Sequence, residues 1–178
     1  MKKGVFSTTK LLTFAALLTA LSIVIGIFCK NFLNFGGGLF RITFENLPII
    51  LSGITCGPII GGLVGIATDL LSYLLSAQTY PPNLIVTAGA FAVGFISGMM
   101  ARFVIKKRGA LQIFLSGAVA HIIGSMLIKP IGLFQFYGWL VLWRIPLYLV
   151  IAPIEILLLI WLFRRKNFRR ILPRDFSQ

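Results

Sequence analysis

The sequence carries four acidic side chains, Glu45, Asp69, Glu155 and Asp175, and the first three lie within long apolar stretches. An ionisable group in hydrocarbon costs about 2.5 to 3.5 kcal/mol on insertion scales, so such groups face protein, water or a functional cavity. The single histidine, His121, has the same apolar surroundings. At about 1.5 Å per helical residue, Asp69, His121 and Glu155 each fall roughly 13 to 17 Å from one end of their stretches, a shared depth. On a helix Asp69 shares a face with Gly61, Gly62, Gly65, Ser72 and Tyr73, and His121 with Gly117, Gly124, Ser125 and Lys129, while Arg144, Tyr148, Ala152 and Glu155 form one stripe. Two roles stay open for these groups: lining a binding cavity, or tying helices together through hydrogen bonds where small neighbours allow close approach. Nearer the other end, Arg41, Glu45, Asn46, Asn83, Thr87, Lys129, Gln135 and Arg144 gather at the mouth of the same bundle. Lys129 and Arg144 either meet a ligand there or snorkel to the interface.

Enzymatic chemistry finds little support. One histidine is too few for a multi-histidine metal site, and no H-E-x-x-H, G-x-S-x-G or Walker-type pattern occurs. The expectation is a non-enzyme with no metal and no cofactor, in which any ATP dependence comes from partners. Cys29 and Cys56 lack metal-ligand or disulfide-framework spacing and read as small buried residues.

The elements that must position these residues follow from composition. The chain has 178 residues, 58% of them hydrophobic and 12% charged, and its mean hydropathy of +0.96 is too apolar for a water-soluble domain. The fold class expected is all-α integral membrane, a single transmembrane domain over 1–178. Apolar runs punctuated by Gly, Pro and charge predict six spans near 10–29, 43–56, 58–77, 83–104, 110–129 and 144–163. The stretch Leu11–Phe28, although preceded by Lys2, Lys3 and Lys10, reads as the first span because no small-x-small cleavage pattern closes it. Between the second and third spans stands only Cys56-Gly57-Pro58, where Gly can end one helix and Pro open the next.

The net charge of +13 is a matter of topology. With both termini cytoplasmic, Lys2, Lys3, Lys10, Arg102, Lys106, Lys107, Arg108, Arg164, Arg165, Lys166, Arg169, Arg170 and Arg174 lie inside, the last six in a basic tail over 164–178. Only Lys30, Arg41, Lys129 and Arg144 remain outside, as the positive-inside rule favours. The tail suits contact with anionic lipid, and nucleic-acid binding is not expected. The outer connections are then 30–42, 78–82 and 130–143. The first is rich in glycine and the third carries Phe134, Gln135, Phe136, Tyr137, Gly138, Trp139 and Trp143. Such segments suit either loops that close over a ligand or an interfacial aromatic belt.

The segment Arg41-Ile42-Thr43-Phe44-Glu45-Asn46-Leu47-Pro48-Ile49-Ile50, followed by Gly57-Pro58-Ile59-Ile60-Gly61-Gly62-Leu63-Val64-Gly65 and by Asp69, resembles the substrate-binding S components of energy-coupling factor (ECF) vitamin transporters, most of all their folate-specific branch. The resemblance implies a membrane-embedded subunit that captures folate or a related small vitamin from outside and reorients on an ECF transmembrane coupling subunit with two ATPase subunits. It also implies that Ala16 and Ala20, in Ala16-Leu17-Leu18-Thr19-Ala20, contact the coupling subunit. Residues suited to the ligand are Arg41, Phe44, Glu45, Asn46, Asp69, Tyr73, Asn83, Thr87, His121, Lys129, Gln135, Trp139, Arg144 and Tyr148. Acidic groups would accept from pterin N–H groups, rings would stack, and cations would meet glutamyl carboxylates. Two other readings remain: an S component for another vitamin or precursor, and a non-transporting assembly protein whose small-residue faces recruit partners. A stand-alone channel fits less well, because regular polar stripes are missing.

Overall fold

Hydrocarbon offers a backbone no hydrogen-bonding partner, so apolar stretches of this length must satisfy their own N–H and C=O groups as helices. The computed structural model describes residues 8–35, 40–75, 82–105 and 109–172. Helix α1 covers Thr8–Phe32, and a short antiparallel ladder follows, β1 (Asn34–Phe35) pairing with β2 (Phe40–Arg41). Helices α2 (Asn46–Cys56), α3 (Pro58–Leu75) and α4 (Leu84–Met99) come next, the last prolonged by a π-helical turn over Met100–Val104. Helix α5 (Ala110–Ala120) runs through a π-helical segment, His121–Ile128, into α6 (Lys129–Tyr137). A 3-10 segment (Gly138–Trp143), α7 (Arg144–Arg164) and α8 (Lys166–Ile171) complete the described chain.

Among the described residues, four helical runs are long and apolar enough to cross a membrane: Thr8–Phe32, Pro58–Leu75, Leu84–Val104 and Ala110–Arg164. The last, at 55 residues, far exceeds one crossing and doubles back, since α7 packs on α5. Helix α2 has 11 residues. Its rise of about 16 Å is roughly half a hydrocarbon layer. Leu17, Val24, Leu63, Leu74, Leu149, Val150 and Leu157 point outward and are exposed. That much apolar surface is untenable in water and ordinary against lipid, as befits a multi-pass membrane protein.

The helices meet through small residues. A Cβ on Gly61 would lie 2.5 Å from Gly53 Cα, and one on Gly98 would lie 2.6 Å from Pro58 Cα. A side chain on Gly94 would overlap the Gly61 carbonyl, and one on Gly65 the Ala90 carbonyl. Lipid tails give apolar helices no hydrophobic drive to associate, so this close van der Waals fit binds α2, α3 and α4. Gly57, at φ 104°, takes a left-handed conformation that ends α2, and its N–H donates to Gly53 O; Pro58 then starts α3.

Two expected loops differ in the structure. The segment 130–143 is helical nearly throughout. The aromatic run reads as a connection because Gly132 and Gly138 punctuate it, yet only Gly138, at φ 55°, interrupts the helix. Gly132 packs within α6 against α4, where an added Cβ would meet Ile85 and Val86 at 3.0 to 3.1 Å. Pro130, at the start of α6, has no N–H to give, and the helix ahead of it runs in the wider π register, Lys129 N donating to Gly124 O. The segment 30–42 is shortened at its start, where α1 continues to Phe32, and within it Asn34–Phe35 pair with Phe40–Arg41. Of the second expected connection, 78–82, residues 78–81 lie outside the described residues. In the tail, α8 folds back so that Phe168 meets the Phe163 ring edge-on at 5.8 Å, and Leu172 is buried.

Candidate functional site

Asn46 of α2, Asp69 of α3 and Thr87 of α4 lie toward the opposite end from the glycine contacts. Between them opens a pocket that also reaches α1, α6 and α7. The second half of α3 supplies Thr68, Asp69, Ser72 and Tyr73, and the first turns of α4 supply Val86, Thr87 and Ala90, with Pro82 and Asn83 just ahead of them. The entry to α2 gives Thr43, Glu45 and Ile49; α6 gives Lys129 and Leu133; α7 gives Arg144 and Tyr148; and the last turn of α1 gives Lys30. Two carboxylates and three cations thus face one cavity.

Each wall residue is held by its own chemistry. Asn83 caps α4, its Oδ1 accepting from Ile85 N at 2.8 Å while its Nδ2 donates to Gly132 O at 2.6 Å, which fixes α4 to α6. Thr87 Oγ1 donates to Asp69 Oδ2 at 2.6 Å, a short charge-assisted bond that orients the carboxylate. Lys129, almost fully buried, has Nζ 3.7 Å from Glu45 Oε1 and donates to Asn46 Oδ1 at 3.2 Å; Asn46 Nδ2 in turn donates to Ser125 Oγ at 3.4 Å. Ser22 on α1 donates to Glu45 O at 2.5 Å, and Gly26 leaves room for the carboxylate, since a Cβ there would lie 2.9 Å from Glu45 Oε2. The Arg144 guanidinium lies 5.5 Å from the centre of the Tyr137 ring. Lys30 Nζ donates to Ser72 O at 3.4 Å across the α1–α3 contact.

Of the candidate ligand residues, Glu45, Asp69, Tyr73, Asn83, Thr87, Lys129, Arg144 and Tyr148 line the pocket. Asn46 is fully buried beside it and touches Lys129. Phe44 is half-buried and outside the lining, and Gln135 and Trp139 are exposed on α6 and the 3-10 segment. Arg41 forms part of β2. His121 stands apart from the cavity with Glu155: both are fully buried, and Nε2 lies 2.8 Å from Glu155 Oε2. Glu155 Oε1 accepts from Leu47 N at 3.1 Å. The three mid-depth ionisable residues therefore divide, Asp69 into the pocket and the other two into helix packing.

Lys30, Thr43, Thr68 and Ser72 also line the pocket without having been singled out as ligand contacts. Lys30 had a legible signal, a lone cation closing a long apolar run; the other three are small hydroxyl residues indistinguishable by type from those that bond their own helix. Ala16 and Ala20 on α1 are exposed, outside the packed interior. Among the described residues, no group of three His, Cys, Asp or Glu side chains converges to hold a metal ion.

The wall can accept hydrogen bonds at Glu45 and Asp69 while attracting anions at Lys30, Lys129 and Arg144, which suits a polar ligand bearing both an N–H edge and carboxylates. Comparison with known proteins bears on this arrangement. Residues 10–165 match the family model of the ECF transporter substrate-specific component. A curated relative, the folate transporter FolT of Clostridium novyi (strain NT), is 27% identical over 115 residues; the match spans 64% of this chain and 64% of the relative's length. A crystal structure of FolT bound with folic acid superposes with a TM-score of 0.67 at 21% identity, covering 90% of this chain and 95% of that one, a likeness of fold.

Proposed function

The chain belongs to the family of ECF transporter substrate-specific components, and from that premise we propose that it is a folate-binding subunit of an ATP-driven vitamin importer. The observation that carries this reading is a pocket in which Glu45 and Asp69 face Lys30, Lys129 and Arg144. A pterin ring offers amino and ring N–H donors to carboxylates, Tyr73 and Tyr148 offer ring contact, and the glutamyl tail offers anions to the cations. The named relative and the folic-acid-bound neighbour support the same ligand class.

In this reading the chain crosses the plasma membrane six times with both termini in the cytoplasm, the half-length α2 crossing together with the non-helical residues 42–45 that lead into it, and the pocket opens outside under segments 30–42, 78–82 and 130–143. The distribution of Lys and Arg supports that orientation. The exposed Ala16 and Ala20 meet an ECF transmembrane coupling subunit, which joins two ATPases, since the chain has no phosphate loop of its own. Purified protein titrated with folic acid by tryptophan fluorescence should saturate at submicromolar ligand, with thiamine, riboflavin and biotin as controls. Saturation by a control but not by folic acid would assign the pocket to another vitamin; no saturation by any of them would overturn vitamin capture.

A further inference from the structure

Helix α2 begins beside the pocket without help from its own N-cap residue. Glu45 occupies that position, and its side chain makes no capping bond. The first turn of a helix leaves backbone N–H groups without intrahelical partners, and in a water-poor interior each must find an acceptor. Glu155 of α7 supplies one, its Oε1 accepting from Leu47 N at 3.1 Å, an N–H that it shares with Phe44 O at 3.2 Å in the turn leading into the helix. Its other oxygen, Oε2, lies 2.8 Å from His121 Nε2 on the π-helical segment after α5. Both side chains are fully buried, and neither lines the pocket.

We propose that Glu155, braced by His121, is a positioning residue for the ligand pocket: it caps α2 from another helix, and so frees the Glu45 carboxylate to face the cavity and fixes the turn that carries Glu45 and Asn46. The sequence of contacts is direct. Leu47 follows Glu45 and Asn46 in the chain, so holding its N–H holds the start of α2. Asn46 Oδ1 accepts from Lys129 Nζ at 3.2 Å, and Glu45 Oε1 lies 3.7 Å from the same ammonium. Displacing the first turn of α2 shifts both acceptors away from Lys129. A carboxylate suits this place for a second reason, because the N-terminal end of a helix carries partial positive charge. The His121 contact restrains the carboxylate and joins α2, α7 and the π-helical segment after α5 behind the pocket.

The ligand in this inference is that of the proposed function, so the test has one arm that needs none. Hydrogen exchange on purified protein follows the peptide covering residues 44–50. Glu155→Asp keeps the charge but shortens the reach by one methylene, and should lose protection there while peptides of α3 and the glycine contacts stay protected. Glu155→Gln keeps an acceptor for Leu47 and a polar partner for His121, and should stay near the wild-type protein. In the second arm, Glu155→Asp should weaken folic-acid binding about tenfold, a loss of about 1.4 kcal/mol, and Glu155→Gln less than about threefold. In a Glu45→Gln background the Glu155→Asp effect should shrink to the part carried by Asn46, because Glu155 and Glu45 act on one structural unit. Unchanged exchange over 44–50 in Glu155→Asp, or a loss of protection in Glu155→Gln as large as in Glu155→Asp, would overturn the proposal, as would multiplicative effects of Glu155→Asp and Glu45→Gln. If the wild-type protein fails to bind folic acid, the ligand assignment falls and the exchange arm alone decides the role of Glu155.

Discussion

At one end of α2, α3 and α4 backbone rests on backbone at Gly53, Gly61, Gly94 and Gly98, whereas at the other end the same helices present Glu45, Asp69 and Thr87, with the capping Asn83, to a cavity. The two ends tolerate change differently. A glycine contact has no slack, because any added carbon meets a carbonyl or Cα of the neighbouring helix. A pocket wall is made of side chains whose loss leaves the backbone in place and changes what the cavity can hold. Folding should therefore be most sensitive at the first end and ligand affinity at the second.

The largest effect expected is from Gly94→Leu, whose side chain would overlap the Gly61 carbonyl. It should cost about 3 kcal/mol of stability, read as a fallen Tm and loss of the monodisperse peak in size exclusion; an unchanged Tm would break the comparison at its stiff end. Lys129→Met comes next. It removes the ammonium beside Glu45 and Asn46 while keeping the stem that packs near Gly89. Folic-acid affinity should fall about thirtyfold, or about 2 kcal/mol, and the fold should survive in detergent. A stability loss with affinity intact would assign Lys129 to packing. The smallest effect sharpens the boundary of the site: Trp139, 76% exposed and outside the lining, becomes alanine with affinity unchanged within about twofold and a stability change within about 0.5 kcal/mol.

Much of the site was legible because the membrane makes polarity expensive. Eight of the candidate ligand residues line one pocket, among them both acidic groups that reach it, Glu45 and Asp69. Residue type and depth could not separate Asp69 from Glu155, since both are carboxylates on apolar helices near small residues. What separates them is which neighbour each helix face meets: Asp69 meets Thr87 at a cavity, and Glu155 meets Leu47 N and His121 in a closed interior. The aromatic segment 130–143 misled for a related reason, because glycine signals a turn only when nothing packs against it, and Gly132 is pressed onto α4.

The sequence alone determined that the chain lives in a membrane, that its apolar runs are helical, and that Gly57 and Pro58 turn the chain between two of them; these follow from local composition, backbone conformation and the cost of unpaired backbone groups in hydrocarbon. Only the tertiary structure decided which buried charges share a cavity, that α2 is a half-length helix capped by a residue 108 positions along the chain, and that Lys30 joins the site. Those outcomes depend on how helices rotate against one another, and rotation is set by packing between residues far apart in sequence, which no local pattern encodes.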